Sequence, residues 1–195
     1  MAFTQRSERT RTAILEAARR LLAERGYEAT TIRAVAAEAG IDPSMVMRYY
    51  GSKEGLFGAA VDVDLRLGQA ATDCPPERLG EALARHLVAR WEGPLSDEFI
   101  RLLLRSANTH AVAAAHIRTI FESQVLQMVR DALGDHPDAP RRAGMISTQV
   151  LGTALCRYIL QLSPVVAMDG ETLAATMAPV LQHYLTGDLS APVGR

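Results

Sequence analysis

Residues 28–57 read EATTIRAVAAEAGIDPSMVMRYYGSKEGLF. Ile32, Val35 and Ala36 fall at helical spacing and make one apolar face. Thr31 stands where an N-cap belongs, and Gly40 stands where a helix ends in a residue that tolerates positive φ. Asp42 is placed to cap the next helix, with Pro43 at its first position, where a missing N–H costs nothing. Helix, glycine turn and capped helix is the layout of a helix-turn-helix, whose second helix enters the DNA major groove. Ser52 then caps a further helix that starts at Lys53.

Outward from this stretch the chain reads as all-α. It has 195 residues, enough for one or two small domains, with 5% aromatic residues, 22% charged residues and an abundance of Ala, Leu and Arg. The periodicity predicts about nine helices. The first spans roughly 8–25, with Ile14, Ala18, Leu21 and Leu22 inward and Gly26 as its stop. The fourth carries Leu56, Val61, Leu65 and Leu67. Later helices are expected near 76–91, 96–106, 111–133, 139–162 and 170–187. The stripe of the 76–91 helix is Leu79, Leu83, Leu87 and Trp91. Ser163-Pro164 is expected to break the 139–162 helix. Pro179 should kink or split the last one.

Formal net charge is −1, but residues 1–55 carry nine Lys+Arg against seven Asp+Glu. That is a mild bias toward an anionic partner. Arg6, Arg9 and Arg11 form a short basic arm, read either as a disordered terminus or as an arm for a minor groove. Cys74 and Cys156 form neither a disulfide framework nor a metal motif. The five histidines show no paired ligand spacing, and no hydrolase elbow, Walker loop or zinc-protease motif is present. The expectation is a protein without metal or cofactor that is not an enzyme. No apolar run reaches the length of a membrane span, and the first residues lack the apolar centre of a signal peptide, so a cytoplasmic location is expected.

Ile14 to Phe57, ILEAARRLLAERGYEATTIRAVAAEAGIDPSMVMRYYGSKEGLF, resembles the TetR family of one-component transcriptional regulators. The match includes Gly-Tyr and Thr-Thr before the second helix, the Ala-x-x-Ala-Gly turn, and an aromatic-x-Ser-Lys-Glu-x-Leu junction. One departure is Met47, four residues before Gly51, in a slot where the family usually has Tyr or Phe. The resemblance implies a helix-turn-helix DNA-binding domain over 1–52 and a helical effector-binding and dimerisation domain over 53–195. It also implies a homodimer built from the last two long helices, 139–162 and 170–187. Apolar residues from Met145 to Leu162 and from Leu173 to Tyr184 occupy more than one stripe. Gly144, Gly152 and Ala154 would let helices approach closely. A thick core is the other reading of that girdle.

The expected function is a repressor that binds a pseudo-palindromic operator as a dimer and is released by a small-molecule effector. The alternative is a helical dimeric protein-interaction module. Thr31, Arg33, Ser44, Met45, Arg48, Tyr49 and Lys53 are the residues expected to face DNA. Thr31 and Lys53 mark helix starts, whose N–H groups suit phosphate. Ser44, Met45 and Arg48 are expected on one side of the recognition helix, where Arg48 can pair with guanine and Met45 can touch a thymine methyl. The resemblance places an effector pocket in the middle of the chain. His86, Arg90, Trp91, Leu103, Asn108, His110, Phe121, Gln124 and Met128 are candidates to line it, each also readable as ordinary core or surface. They suit a medium-sized, partly hydrophobic or aromatic ligand. The fourth helix is expected to act as a lever, its distal part near Leu65 and Leu67 packing toward that pocket.

Overall fold

Every N-terminal cap read from the helix-turn-helix stretch forms in the computed structural model, which describes residues 2–62, 64–68, 74–93, 104 and 111–189. Helix α1 (Ala2–Ala29) is broken at Gly26, whose φ of 76° leaves the helical region. It begins earlier than the spacing predicts, so the basic arm is helical. Thr31 caps α2 (Ile32–Glu38) by accepting from the Ala34 N–H at 3.1 Å. Gly40, at φ 67°, makes the turn that a Cβ would strain. Asp42 accepts from the Ser44 N–H at 2.8 Å and opens α3 (Pro43–Tyr50). Ser52 accepts from the Gly55 N–H at 3.0 Å and opens α4 (Lys53–Val61).

These helices share one core of Ile14, Ala18, Leu21, Leu22, Val35, Ala36, Val46, Leu56, Phe57, Ala60 and Val61. The chain divides into two compact units, Met1–Val63 with Glu98–Ile117, and Asp64–Asp97 with Arg118–Arg195. The boundary expected after residue 52 would cut through the first core, because Leu56, Phe57, Ala60 and Val61 of α4 are buried in it. Arg19 Nε adds a bond to the Ala60 carbonyl at 2.9 Å.

Helix α4 is shorter than its apolar pattern suggests. It stops at Val61, and Asp62 is extended, so Leu65 and Leu67 are not part of it. Tertiary bonds explain the early stop: the Leu65 N–H donates to Gln124 Oε1, and Arg66 adopts φ 52°, which no α-helix contains.

In the second unit a 3-10 turn (Pro76–Arg78) leads into α5 (Leu79–Glu92), whose predicted stripe of Leu79, Leu83, Leu87 and Trp91 is buried. Of the helix predicted over 96–106, Leu104 is the one described residue, and it is helical. Helix α6 (Ala111–Ile120), whose residues up to Ile117 belong to the first unit, passes through a π-turn (Phe121–Val125) into α7 (Leu126–Leu133). Helix α8 (Ala139–Ala154) likewise ends in a π-turn (Leu155–Ile159). The break follows at Gln161, with φ 50°, rather than at Ser163-Pro164. Those two residues instead start the short α9 (Ser163–Val166), where proline is tolerated in the first turn.

Helix α10 (Gly170–Thr186) is neither split nor ended by Pro179. Pro179 and Ala175 are both exposed, so water can serve the carbonyl that the proline leaves without its N–H. Helix α10 packs along α5 at close range. A Cβ on Gly80 would come within 2.6 Å of the Ala178 carbonyl oxygen. Gln182 Oε1 accepts from the Gly80 N–H at 2.8 Å in the same crossing. Among the described residues there is no strand, and no helix is long and apolar enough to cross a membrane.

Candidate nucleic-acid interface and ligand cavity

Helix α3 is anchored by Val46, which is fully buried, and by Tyr49 and Tyr50, half-buried against the core. The remaining direction carries Ser44, Met47 and Arg48, all exposed and spaced i, i+3, i+4. Met45 is half-buried and flanks this face rather than belonging to it. Met47, 45% exposed, belongs to this face. The i, i+3, i+4 spacing from Ser44 was visible in the sequence and would have found it.

Thr31 and Arg33 are exposed at the start of α2, and the Thr31 side chain is engaged as the cap. Tyr49 Oη lies 3.0 Å from Ser7 Oγ, which fixes its ring against α1. Lys53 is less free than its position implies. Its ammonium donates to the Glu28 carbonyl at 3.1 Å and stands 4.3 Å above the Tyr27 ring. Two further N–H donors remain on an ammonium after that bond. Tyr27 in turn donates to Glu54 at 3.0 Å. Backbone and Ser52 hydrogen bonds, then the one from Tyr27, hold the Glu54 carboxyl below its usual range. Asp42 is likewise held low by the hydrogen bonds of Ser44, so it is a carboxylate cap at neutral pH.

The second unit contains a cavity of about 520 Å³, walled by Asp64, Arg66, Leu67, Cys74, Leu79, Ser123, Gln124, Gln127, Met128 and Asp131 among others. Gln124 and Met128 are the predicted ligand residues that reach it. Leu103, Asn108 and His110 lie outside the described residues. Trp91 is buried with its ring 6.1 Å from that of Tyr158, edge to face, so it serves the core. Phe121 is half-buried in the π-turn. His86 Nε2 lies 2.8 Å from the Leu65 carbonyl, and Arg90 donates to the Asp64 carbonyl at 3.0 Å. Both are therefore used on backbone. The wall is more polar than the aromatic lining expected from Trp91 and Phe121. No group of His, Cys, Asp or Glu able to hold a metal ion occurs among the described residues.

Comparison with known proteins gives this geometry a lineage. An HTH-type transcriptional repressor, Rv3405c of Mycobacterium tuberculosis, is 39% identical over 84 residues, covering 40% of this chain and 43% of that relative. The match thus spans less than half of the relative's length. A TetR-family regulator from Streptomyces coelicolor A3, SCO0857, superposes with a TM-score of 0.59 at 29% identity, over 91% of this chain and 95% of that one. NalD, the secondary repressor of the MexAB-OprM multidrug efflux pump in Pseudomonas aeruginosa, shares the fold at a TM-score of 0.72 and 19% identity, over 94% and 99% of the two chains. Residues 14–60 match the model of bacterial regulatory proteins of the tetR family, and residues 77–185 match the tetracyclin repressor-like C-terminal domain. With the latter alone covering more than half of its length, the chain belongs to the tetR family.

Proposed function

We propose that this protein is a dimeric, ligand-responsive transcriptional repressor. The observation that carries the reading is the exposed Ser44–Met47–Arg48 face of α3, set on a buried Val46 and a capped N-terminus. Arg48 is suited to guanine O6 and N7, Met47 and the flanking Met45 to thymine methyls. Thr31, Arg33 and Lys53, at the starts of α2 and α4, and Tyr49 suit phosphate oxygens, which set register rather than sequence. The repressor names of Rv3405c and NalD support the direction of regulation.

Two recognition helices must stand about 34 Å apart, or a multiple of it, to read successive half-sites, so a pair of chains is required. The pairing surface we assign is α8 with its π-turn and α9, alongside α10. Met145, Leu155, Leu160, Leu162 and Val166 are exposed there, and a Cβ on Gly144 or Gly152 would meet open space. Ala154 and Leu181, by contrast, are fully buried within the protomer and belong to its core. The effector site is the cavity beside Gln124 and Met128. Its occupant weakens DNA binding by preferring one of two conformations, and operator DNA must weaken the effector by the same factor.

Selection of bound DNA from a random pool tests the reading. A pseudo-palindromic sequence is expected, with affinity falling by about 0.9 log units per neutralised phosphate per log unit of salt. Recovery of no preferred sequence, with binding indifferent to salt, would favour a protein-interaction module instead.

A further inference from the structure

Residues 64–66 follow α4 in the chain without regular structure of their own, yet three side chains fasten their backbone. Gln124 Oε1 accepts from the Leu65 N–H at 2.6 Å. His86 Nε2 lies 2.8 Å from the Leu65 carbonyl, and Arg90 donates to the Asp64 carbonyl at 3.0 Å. Asp64 Oδ1 accepts from the Arg66 N–H at 2.8 Å. Arg66 sits at φ 52°, a left-handed conformation that a side chain rarely adopts. Such a residue persists where its surroundings over-determine it, and here they do. Gln124 lies in the π-turn that follows α6, a local defect common at functional sites. Gln124, Asp64 and Arg66 also line the cavity, so one residue belongs to the cavity wall and, through its carboxamide, to the hold on the segment.

We infer that Gln124, together with His86 and Arg90, is a positioning residue that keeps 64–66 in one conformation, and that a cavity occupant donating a hydrogen bond to Gln124 Oε1 loosens that hold. This rests on reading the cavity as the effector site. Of the trio, Gln124 is the one whose residue also walls the cavity, since neither His86 nor Arg90 is among the described residues that line it. A donor-bearing ligand therefore competes with the Leu65 N–H itself. Loosening acts on the chain a few residues beyond Val61, the last residue of α4.

The test uses the full chain carrying Cys156→Ala, so that Cys74, on the cavity wall, is its one thiol. Iodoacetamide then attaches a primary amide to Cys74, and residue-resolved hydrogen exchange reads the Leu65 amide. The expected result is exchange about fivefold faster at Leu65 after alkylation, the effect of one ordinary hydrogen bond. Gln124→Ala should give the same acceleration without reagent, and alkylation should add nothing to it. Gln124→Glu keeps an acceptor and should keep the protection. Gln127→Ala, another change on the cavity wall, should leave Leu65 as it was. Unchanged exchange at Leu65 in Gln124→Ala or after alkylation overturns the inference, as does equal acceleration in Gln127→Ala. The exchange readout needs no DNA, so a protein that bound no operator would defeat the repressor reading while leaving this one standing or falling on Leu65.

Discussion

Arg48 in the first unit and Arg142 in the second are both helical arginines, and their surroundings give them opposite work. Arg48 is exposed on α3. Arg142 is 7% exposed and donates to the carbonyls of Tyr184, Leu185 and Gly187 at 2.9–3.1 Å. It closes the C-terminus of α10, where carbonyls have no helical partner and cations are favoured. Arg157 does related work, bonding the Val165 and Met168 carbonyls and pairing with Glu92 at 2.7 Å. The second unit consumes polar side chains as internal ties, whereas Arg48 stays exposed on α3, as the proposed recognition face requires. A polar residue in this chain is thus a functional candidate only after its bonds are counted.

The sharpest way to break this comparison is a pair of aspartates. Leu181→Asp should unfold the second unit, at a cost of about 4 kcal/mol or more, because a fully buried side chain becomes an unpaired charge. Gly152→Asp meets open space within the protomer, so it should fold normally and fail only to pair. Circular dichroism reads the first outcome and sedimentation the second. A Gly152→Asp dimer of normal strength would remove α8 from the pairing surface.

Arg142→Ala comes next in size. Three carbonyls lose a charged donor, and about 3 kcal/mol of stability should go with them, read from urea unfolding. Retention of full stability would mean that water replaces the guanidinium at the end of α10.

Arg48→Ala should do the reverse. Its unfolding midpoint should match the parent, while affinity for the selected operator falls by about 1–3 kcal/mol with relaxed choice at one base pair. Met47→Ala should lower affinity by less and leave the salt slope unchanged, since it carries no charge. If Met45→Ala proved the more damaging of the two methionine variants, the half-buried residue rather than the exposed one would make the contact.

The smallest effect is the α3 cap. The Asp42 carboxyl is held below its ordinary value of 3.8 by the Ser44 hydrogen bonds. Folding therefore favours its ionised form, so the contribution is complete above that value and is lost as pH falls through the lower, folded one. Amide exchange at Ser44 should accelerate only in that acidic window, and Asp42→Asn, a neutral cap, should abolish the pH dependence. Acceleration beginning near neutrality would assign it to another group.

The parts of the molecule legible in the sequence are those decided within a few residues. Thr31, Asp42 and Ser52 bond an N–H two or three positions ahead, and Gly40 turns the chain on its own φ. Such choices depend on local sterics and on one short hydrogen bond, so they follow from residue type and order. The helical periodicity of α1 and α5 is equally local, and it correctly named Ile14 and Leu83 as core. Tertiary structure alone decided what partners at long range consume. Leu65 and Leu67 continue the apolar pattern of α4, yet Gln124, far along the chain, takes the Leu65 N–H and the helix ends before them. His86 and Arg90 have the chemistry of ligand residues, but backbone carbonyls at 64 and 65 claim them. Met47 rather than Met45 faces outward because the burial of Val46, Tyr49 and Tyr50 sets how α3 is rotated on its core. A side chain's type and spacing limit what it is able to bond; which neighbour reaches it first is a property of the packed chain.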